Sequence, residues 1–429
     1  MRATDNPYMT MQKHVLEYQG EVKMPIVDTR SDRYEAGSIS KSRISSIDLL
    51  RGLIMIIMAL DHVRYYFHYD AFHYDPADLS QTSVALFFTR WITHFCAPVF
   101  VFLAGTSAFL SGQKVKSRKA LSIWLIKRGL WLIVLEFTLV KLAWMFKLDY
   151  EITLLLVIWI LGISMIALAA FIHLPKYLML ISGLVIVCGH NLLDGVIPPF
   201  LPEPLWKIMH ISFSSIVIGD TTVIVGYPVL PWIGLMVLGY YFGMLYKQDF
   251  GDDVRRNIIM KLGITITIFF VLLRLTNTYG EPVPWSEQES TWFTILSFLN
   301  TTKYPPSLLY LCMTIGPSLI LLTLFEKADG WWAKKLVVVG RVPLFYYLLH
   351  LYLIHFLAVI AAVVMGYTWS DMVVDTMWIN TEPQLHDYGF SLPFVYFVWV
   401  MVVIMLYPLC RWYHDYKNQN RDKWWLSYL

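Results

Sequence analysis

Ten apolar runs, each near the length needed to cross a hydrocarbon layer, divide this chain. That pattern constrains the fold more than any motif does. The runs cover roughly 47–67, 88–112, 121–146, 152–172, 176–193, 229–246, 257–276, 305–325, 336–365 and 391–411. Inside a bilayer no water is available to the backbone, so each run must close its own hydrogen bonds as a helix. The predicted fold class is therefore all-α, a polytopic membrane helix bundle of about ten or eleven transmembrane helices. Composition agrees. The chain is 57% hydrophobic and only 15% charged, whereas soluble domains carry about 25% charged residues. Its mean hydropathy is +0.53. No soluble domain is large enough to stand apart. The fifth and sixth runs are short. The ninth is long for one span, so it tilts, breaks at Gly340 or Pro343, or is two pieces. Segment 211–226, apolar and β-branched, reads as re-entrant or interfacial and would be the eleventh.

The net charge of +3 matters less than where the charges fall. With the N-terminus in the cytoplasm, the inner connections and the tail 411–429 hold fifteen Lys and Arg, and the outer connections hold three. The positive-inside rule then puts both termini in the cytoplasm of an inner-membrane protein in contact with membrane lipid. Residues 1–42 form a cytoplasmic tail without a signal-peptide core, 43–411 the transmembrane domain, and 412–429 a second tail. Trp331, Trp332, Trp424 and Trp425 suit an aromatic belt at that surface. Cys96, Cys188, Cys312 and Cys410 lie in or beside apolar runs without a CxxC pair and read as buried packing thiols.

One run differs from the others. Arg43 to His73 embeds ionisable groups at both ends of an apolar stretch, with Asp48 and Arg51 where it begins and Asp61, His62 and Arg64 where it closes. Such groups inside a membrane mark a functional site by default. The eleven-residue step from Arg51 to His62 returns to nearly the same helix face, about 16 Å along the axis. Arg51 then sits near the cytoplasmic surface and the histidines near the outer one. Asp48 and Arg51 can pair at i,i+3 as a plain helix-start ion pair, with Arg51 reaching the headgroups. Alternatively Arg51 contacts a phosphate or pyrophosphate bidentately. Asp61 can bias the tautomer and basicity of His62, or reach Arg64 instead. The loop HYDAFHYDPADLSQTS, with Asp70, Asp75, Asp78, His68 and His73 and no Lys or Arg, is a candidate surface for a polar substrate, and Asp78 is its substrate-facing acid. On residue type alone His73 is an ordinary surface histidine.

Elsewhere His94 follows Arg90 by four residues and can face the same cavity. Lys303 precedes Tyr304-Pro305-Pro306 at another outer edge, and Arg341 offers a second phosphate contact. His350 lies in hydrocarbon and needs a partner, either in a site or in a structural hydrogen bond. The histidines are not spaced as metal ligands, so no metal is expected. GxSxG, Walker and HExxH patterns are absent. Nothing points to nucleic acid, and a homodimer is left open. Gly52, Gly105 and Gly243 read as close helix-packing points.

The blocks SIDLLRGLIMIIMALDHVRYYF, HFCAPVFVFLAGTSAFLSG and GRVPLFYYLLHLYLIHF resemble the heparan-α-glucosaminide N-acetyltransferase catalytic-domain family over roughly 43–411. The resemblance implies acetyl-CoA as cytoplasmic acyl donor and an amino sugar or glycan as acceptor across the membrane. It also implies catalytic residues at an asparagine position and at a histidine eleven residues later. Laid without gaps from Ser46, these fall on His62 and His73. His62 thus departs from the family's asparagine. The lysosomal members' additional luminal portion and first span have no counterpart here, which agrees with a cytoplasmic start.

Under this resemblance Arg51, with Asp48 and Arg341, meets the CoA headgroup. His73 is the general base, with His62 and Asp61 beside it. His94, Lys303, His350 and Asp78 face the acceptor. The expected activity is transfer of an acetyl or similar short acyl group to an amine. The rivals are O-acetylation of a surface polysaccharide and a transporter or ligand-binding protein on the same scaffold. Inverted repeats would favour the transporter, and none is visible.

Overall fold

The computed structural model of the chain describes residues 31–115, 117–247, 250–374, 383–420 and 422–427, with side chains from Ser45 onward save Trp424 and Ser427. Most of the expected tail 1–42, and the side chain of Trp424, lie outside the described residues. The chain divides into compact units at Met1–Ser42 and Arg43–Leu429.

Helix α1 (Ser31–Phe67) carries the charged apolar run. A loop then leads into α2 (Val84–Thr93) and α3 (Cys96–Gly112), separated by a joint at His94 and Phe95. Ser83 starts α2 by accepting the Leu86 amide at 3.2 Å, and Ser117 starts α4 (Arg118–Leu135) through the Ala120 amide at 3.1 Å. Each satisfies one of the donors that a helix start leaves open. A π-helical turn over Glu136–Val140 joins α4 to the short α5 (Lys141–Met145). Strand β1 (Ile152–Leu155) precedes α6 (Val157–Phe171), then α7 (Lys176–Gly189). Helix α8 (Glu203–His210) leads into strands β2 (Ser214–Ile218) and β3 (Thr221–Val225). The sheet order is β1-β3-β2. β1 runs parallel to β3 with Ile152 opposite Thr222, and β2 runs antiparallel with Ser214 opposite Val225. Helices α9 (Leu230–Phe242), α10 (Asp252–Thr276), α11 (Thr291–Leu299), α12 (Leu308–Phe325), α13 (Trp331–Arg341), α14 (Pro343–Val364) and α15 (Leu392–Gln419) complete the chain.

The protein is an all-α membrane bundle apart from that small sheet. Among the described residues six helical stretches are long and apolar enough to cross a membrane: 84–112, 176–193, 252–276, 308–325, 343–364 and 392–419. α6 and the stretch 230–246 are apolar but shorter. The apolar run of α1 is interrupted by Asp48, Arg51, Asp61 and Arg64, so charge rather than length sets it apart. Three runs resolve differently from a plain span. Residues 211–226 fold as the β2–β3 hairpin, because β-branched alternation suits paired strands better than a short helix. The run from 152 opens as β1. The ninth run is two helices parted at Val342, where Pro343 supplies no amide and starts α14 at its first position.

Helices pair closely where glycines face each other. A Cβ on Gly340 would overlap the Asp48 carbonyl, and one on Gly52 would overlap that of Leu336, so α13 lies backbone to backbone on α1. Gly105 of α3 and Gly239 of α9 repeat the device, and Gly243 packs on Phe109. Ile54, Met55, Ala59, Val63 and Tyr66 bury α1 in the centre. Leu184 and Val185 on α7, Ile268 and Leu272 on α10, and Phe397 and Ile404 on α15 point outward. A helix that is apolar all round belongs in lipid. Cys96 and Cys410 are buried and Cys312 partly so. Cys188 is exposed, contrary to its reading as a packing thiol, because it lies on the outward face of α7.

Candidate active site

Both charged ends of α1 open onto cavities. At the Asp48 end, the Arg51 guanidinium donates to Asp48 at 3.1 Å, to the Gly340 carbonyl at 3.2 Å and to the Ser107 hydroxyl at 2.7 Å. Arg341 donates to the other Asp48 oxygen at 3.1 Å. The backbone approach at Gly340 makes these contacts short enough to form, so one carboxylate and one arginine tie α1, α3 and α13. Arg51 also lines a cavity of about 220 Å³ with Arg128, Ser107, Ser111 and the apolar side chains of Met55, Met58, Phe100, Leu161 and Met165. Its lining joins two guanidinium and two hydroxyl groups to a set of apolar side chains. Arg341 is not among its lining residues.

At the other end a second cavity, about 170 Å³, is lined by Asp61, His62, Arg64, Arg90, Trp144, Tyr227, Lys303, Tyr304 and Tyr347, and roofed by Ala71, Tyr74, Asp75 and Pro76. Asp61 is held on both oxygens, by Arg64 at 3.0 Å and Arg90 at 2.5 Å. Asp61 therefore pairs with the arginines, leaving His62 to a different partner. His62 Nδ1 lies 2.7 Å from His350 Nε2, and His350 Nδ1 lies 2.9 Å from the Tyr346 carbonyl. A carbonyl only accepts, so His350 Nδ1 carries the proton and its Nε2 accepts in turn. His62 Nδ1–H is then the donor, and His62 Nε2 keeps its lone pair. The Trp144 and His62 rings pack edge to face with their centroids 5.0 Å apart. In the neutral ring this arrangement fixes the tautomer, at the wall of a polar cavity.

The two cavities share Val157 and Tyr347 as lining residues. They lie in series along one face of α1, with Arg51 at one end and His62 at the other.

The remaining candidates scatter. His73 is exposed, its Nδ1 3.0 Å from the Tyr69 carbonyl and its ring 5.5 Å from that of His386; it does not line the cavity. Asp78 accepts from Ser80 at 2.7 Å and Gln81 at 2.8 Å in a local turn, and these bonds hold its carboxyl below the usual range. Its neighbour Asp75 lines the cavity instead. His94 is buried beside Tyr310, whose hydroxyl donates to the His94 carbonyl at 2.8 Å. His350 is fully buried behind His62. His355 bonds two carbonyls, Ala143 at 2.9 Å and Met372 at 2.8 Å, and serves as a tie. Lys303 does line the cavity. No sequence pattern singles out Arg128, Tyr304, Tyr347 or Trp144. The one available signal is that Arg90 and Arg128 are cations inside apolar runs. Among the described residues no three His, Cys, Asp or Glu side chains come together as metal ligands.

The family model described as Heparan-alpha-glucosaminide N-acetyltransferase, catalytic, matches residues 43–274, more than half of the chain. The chain belongs to this family. Membership in the heparan-α-glucosaminide N-acetyltransferase family makes the fold that of a transmembrane acetyltransferase, in a family whose general donor is acetyl-CoA. No curated protein matches the chain. The matched region contains Arg51, Asp61, His62, His73, Arg90 and His94. Lys303, Arg341, Tyr347 and His350 follow it.

Proposed function

We propose that the protein transfers an acetyl group from cytoplasmic acetyl-CoA to the amino group of an extracytoplasmic amino sugar or glycan. The observation that carries this reading is the pair of cavities in series, with cationic and hydroxyl groups at one end and a tautomer-fixed histidine at the other. Arg51, Arg128, Ser107 and Ser111 would take the phosphate-bearing end of CoA. The apolar shaft past Met55 and Met58 suits the pantetheine arm, and about 16 Å of α1 separates Arg51 from His62. Tyr347 and Val157 would flank the thioester.

His62 Nε2, rather than His73, acts as the base in this proposal. It removes the proton from the acceptor amine as the nitrogen attacks the thioester carbonyl, and returns it to the departing CoA thiolate. His350 and Tyr346 hold the ring in register. Such general-base assistance contributes about 10²–10⁴-fold, and gathering both substrates in one site adds a further large factor. Asp61 keeps Arg64 and Arg90 in place, and His73 and His386 border the route by which a glycan would enter. The orientation, with Arg51 and both termini cytoplasmic, is supported by the fifteen-to-three division of Lys and Arg.

Purified protein given isotopically labelled acetyl-CoA and a panel of amino sugars tests the reading. Mass spectrometry should detect an N-acetyl amide on at least one amino sugar. An ester product would replace the N-transfer reading with O-transfer, and no acyl transfer to any acceptor would remove the enzymatic reading.

A further inference from the structure

The His62 cavity contains a cation that, among the described residues, touches no carboxylate. Lys303 is only 9% exposed and lines the cavity, yet among the described residues its ammonium has no hydrogen-bond or ion-pair partner. The face of the Tyr304 ring lies 5.0 Å from it. Asp61 bonds Arg64 and Arg90 instead, and among the described residues it makes no hydrogen bond to Lys303. A buried cation without a contacting counter-charge is costly, and one held at a cavity wall is placed to meet a ligand charge.

The loop that carries Lys303 is built to hold it there. Glu281 accepts from the Thr302 amide at 3.0 Å, from the Thr302 hydroxyl and from the Ser307 hydroxyl at 2.6 Å. Ser307 in turn caps α12 through the Tyr310 amide at 3.0 Å. Arg274, itself buried, donates to the carbonyls of Phe298 and Ser297 at 3.0 Å and of Asn300 at 2.8 Å. A carboxylate and a guanidinium are thus both committed to the backbone on either side of one lysine. Such investment fits a side chain whose position matters to within a fraction of an ångström.

We infer that Lys303 is a catalytic residue that stabilises the oxyanion formed when the acceptor attacks the acyl thioester. This inference rests on the acetyl-transfer reading above. The amine nitrogen bonds to the carbonyl carbon, and the carbonyl π pair moves to oxygen beside the Lys303 ammonium. His62 Nε2 takes the amine proton. The oxygen pair then returns, the carbon–sulfur bond breaks, and the CoA thiolate receives that proton. Lys303 keeps all its protons throughout. The ammonium acts by charge from a fixed position in the cavity wall, which is how preorganised electrostatic stabilisation works.

Steady-state kinetics of Lys303→Met and Lys303→Arg with acetyl-CoA test this, using two acceptors: glucosamine and an amino sugar bearing a carboxylate. Lys303→Met should lose about 10²–10³-fold in kcat on both acceptors, as removal of an oxyanion donor does, with KM values within a few-fold and acetyl-CoA binding retained. Lys303→Arg, which keeps the charge, should recover at least a tenth of the wild-type kcat. Undiminished kcat in Lys303→Met overturns the inference. So does a loss confined to KM for the acidic acceptor, which would make Lys303 an acceptor anchor, and so does equal inactivity of both variants. If wild-type protein transfers no acetyl group, it is the underlying reading that fails.

Discussion

At the scale of single residues the central feature is a proton order imposed on two histidines by one carbonyl. The Tyr346 carbonyl can only accept, and that fact propagates through His350 to leave His62 Nε2 as the basic atom. The consequence can be measured. His62→Ala should lower kcat by about 10²–10⁴-fold without weakening acetyl-CoA binding. His350→Phe keeps the stacked ring but removes the acceptor for His62 Nδ1–H. It should cost roughly tenfold in kcat, about the worth of one neutral hydrogen bond, with KM unchanged and the pH profile displaced. A His350→Phe enzyme with wild-type kcat and pH profile would show that the pair does not set the tautomer.

Much of this is readable from the chain before folding. Arg51 and His62 announce themselves because charge inside an apolar run is a local property, and their eleven-residue spacing is a helical one. Lys303, Arg128 and Tyr347 share the cavities with them but not the segment, and no periodicity links residues so far apart. His73 shows the converse. The family pattern draws attention to it, while after the turn at Asp70 it is exposed and does not line the cavity.

At the scale of elements, the position of Arg51 depends on how closely two backbones approach. α13 can lie on α1 only because Gly52 and Gly340 present no side chain, and that approach brings the Gly340 carbonyl and Arg341 to the Asp48–Arg51 pair. Gly340→Ala forces the helices apart. It should cost about 1–3 kcal/mol, as overpacking does, lower the melting temperature in detergent, and weaken acetyl-CoA binding while leaving acceptor KM unaltered. A variant as stable as wild type would mean that the contact yields easily. The parting of α13 from α14 follows the same logic. Pro343 is a visible break point in the sequence, but which of tilt, kink or two helices results depends on α1 being there to receive α13. Likewise β2 and β3 declare their β-branched character, but their pairing with β1 is non-local and leaves no mark in any one segment.

At the scale of the whole molecule, the proposed transfer from a donor on one side to an acceptor on the other requires that water and protons not run between them. The two cavities meet at Val157 and Tyr347, which line both of them. Tyr347 is only 4% exposed, with its ring edge-on to His350 at 5.6 Å, so the same side chain closes the shaft and braces the histidine pair. In the proposed reaction a thioester entering from the Arg51 side would pass or displace this phenol to reach His62. The acyl group would then meet the far cavity only while the donor itself fills the passage, which would keep hydrolysis low when no acceptor is bound. Tyr347→Ala would merge the cavities. It should raise acetyl-CoA hydrolysis without acceptor several-fold relative to transfer with acceptor, read as free CoA against N-acetyl product. Tyr347→Phe, which keeps the ring, should stay near wild type. If both variants hydrolyse acetyl-CoA at the wild-type rate while still transferring, Tyr347 is not the barrier, and water must be excluded by the loop over the far cavity instead.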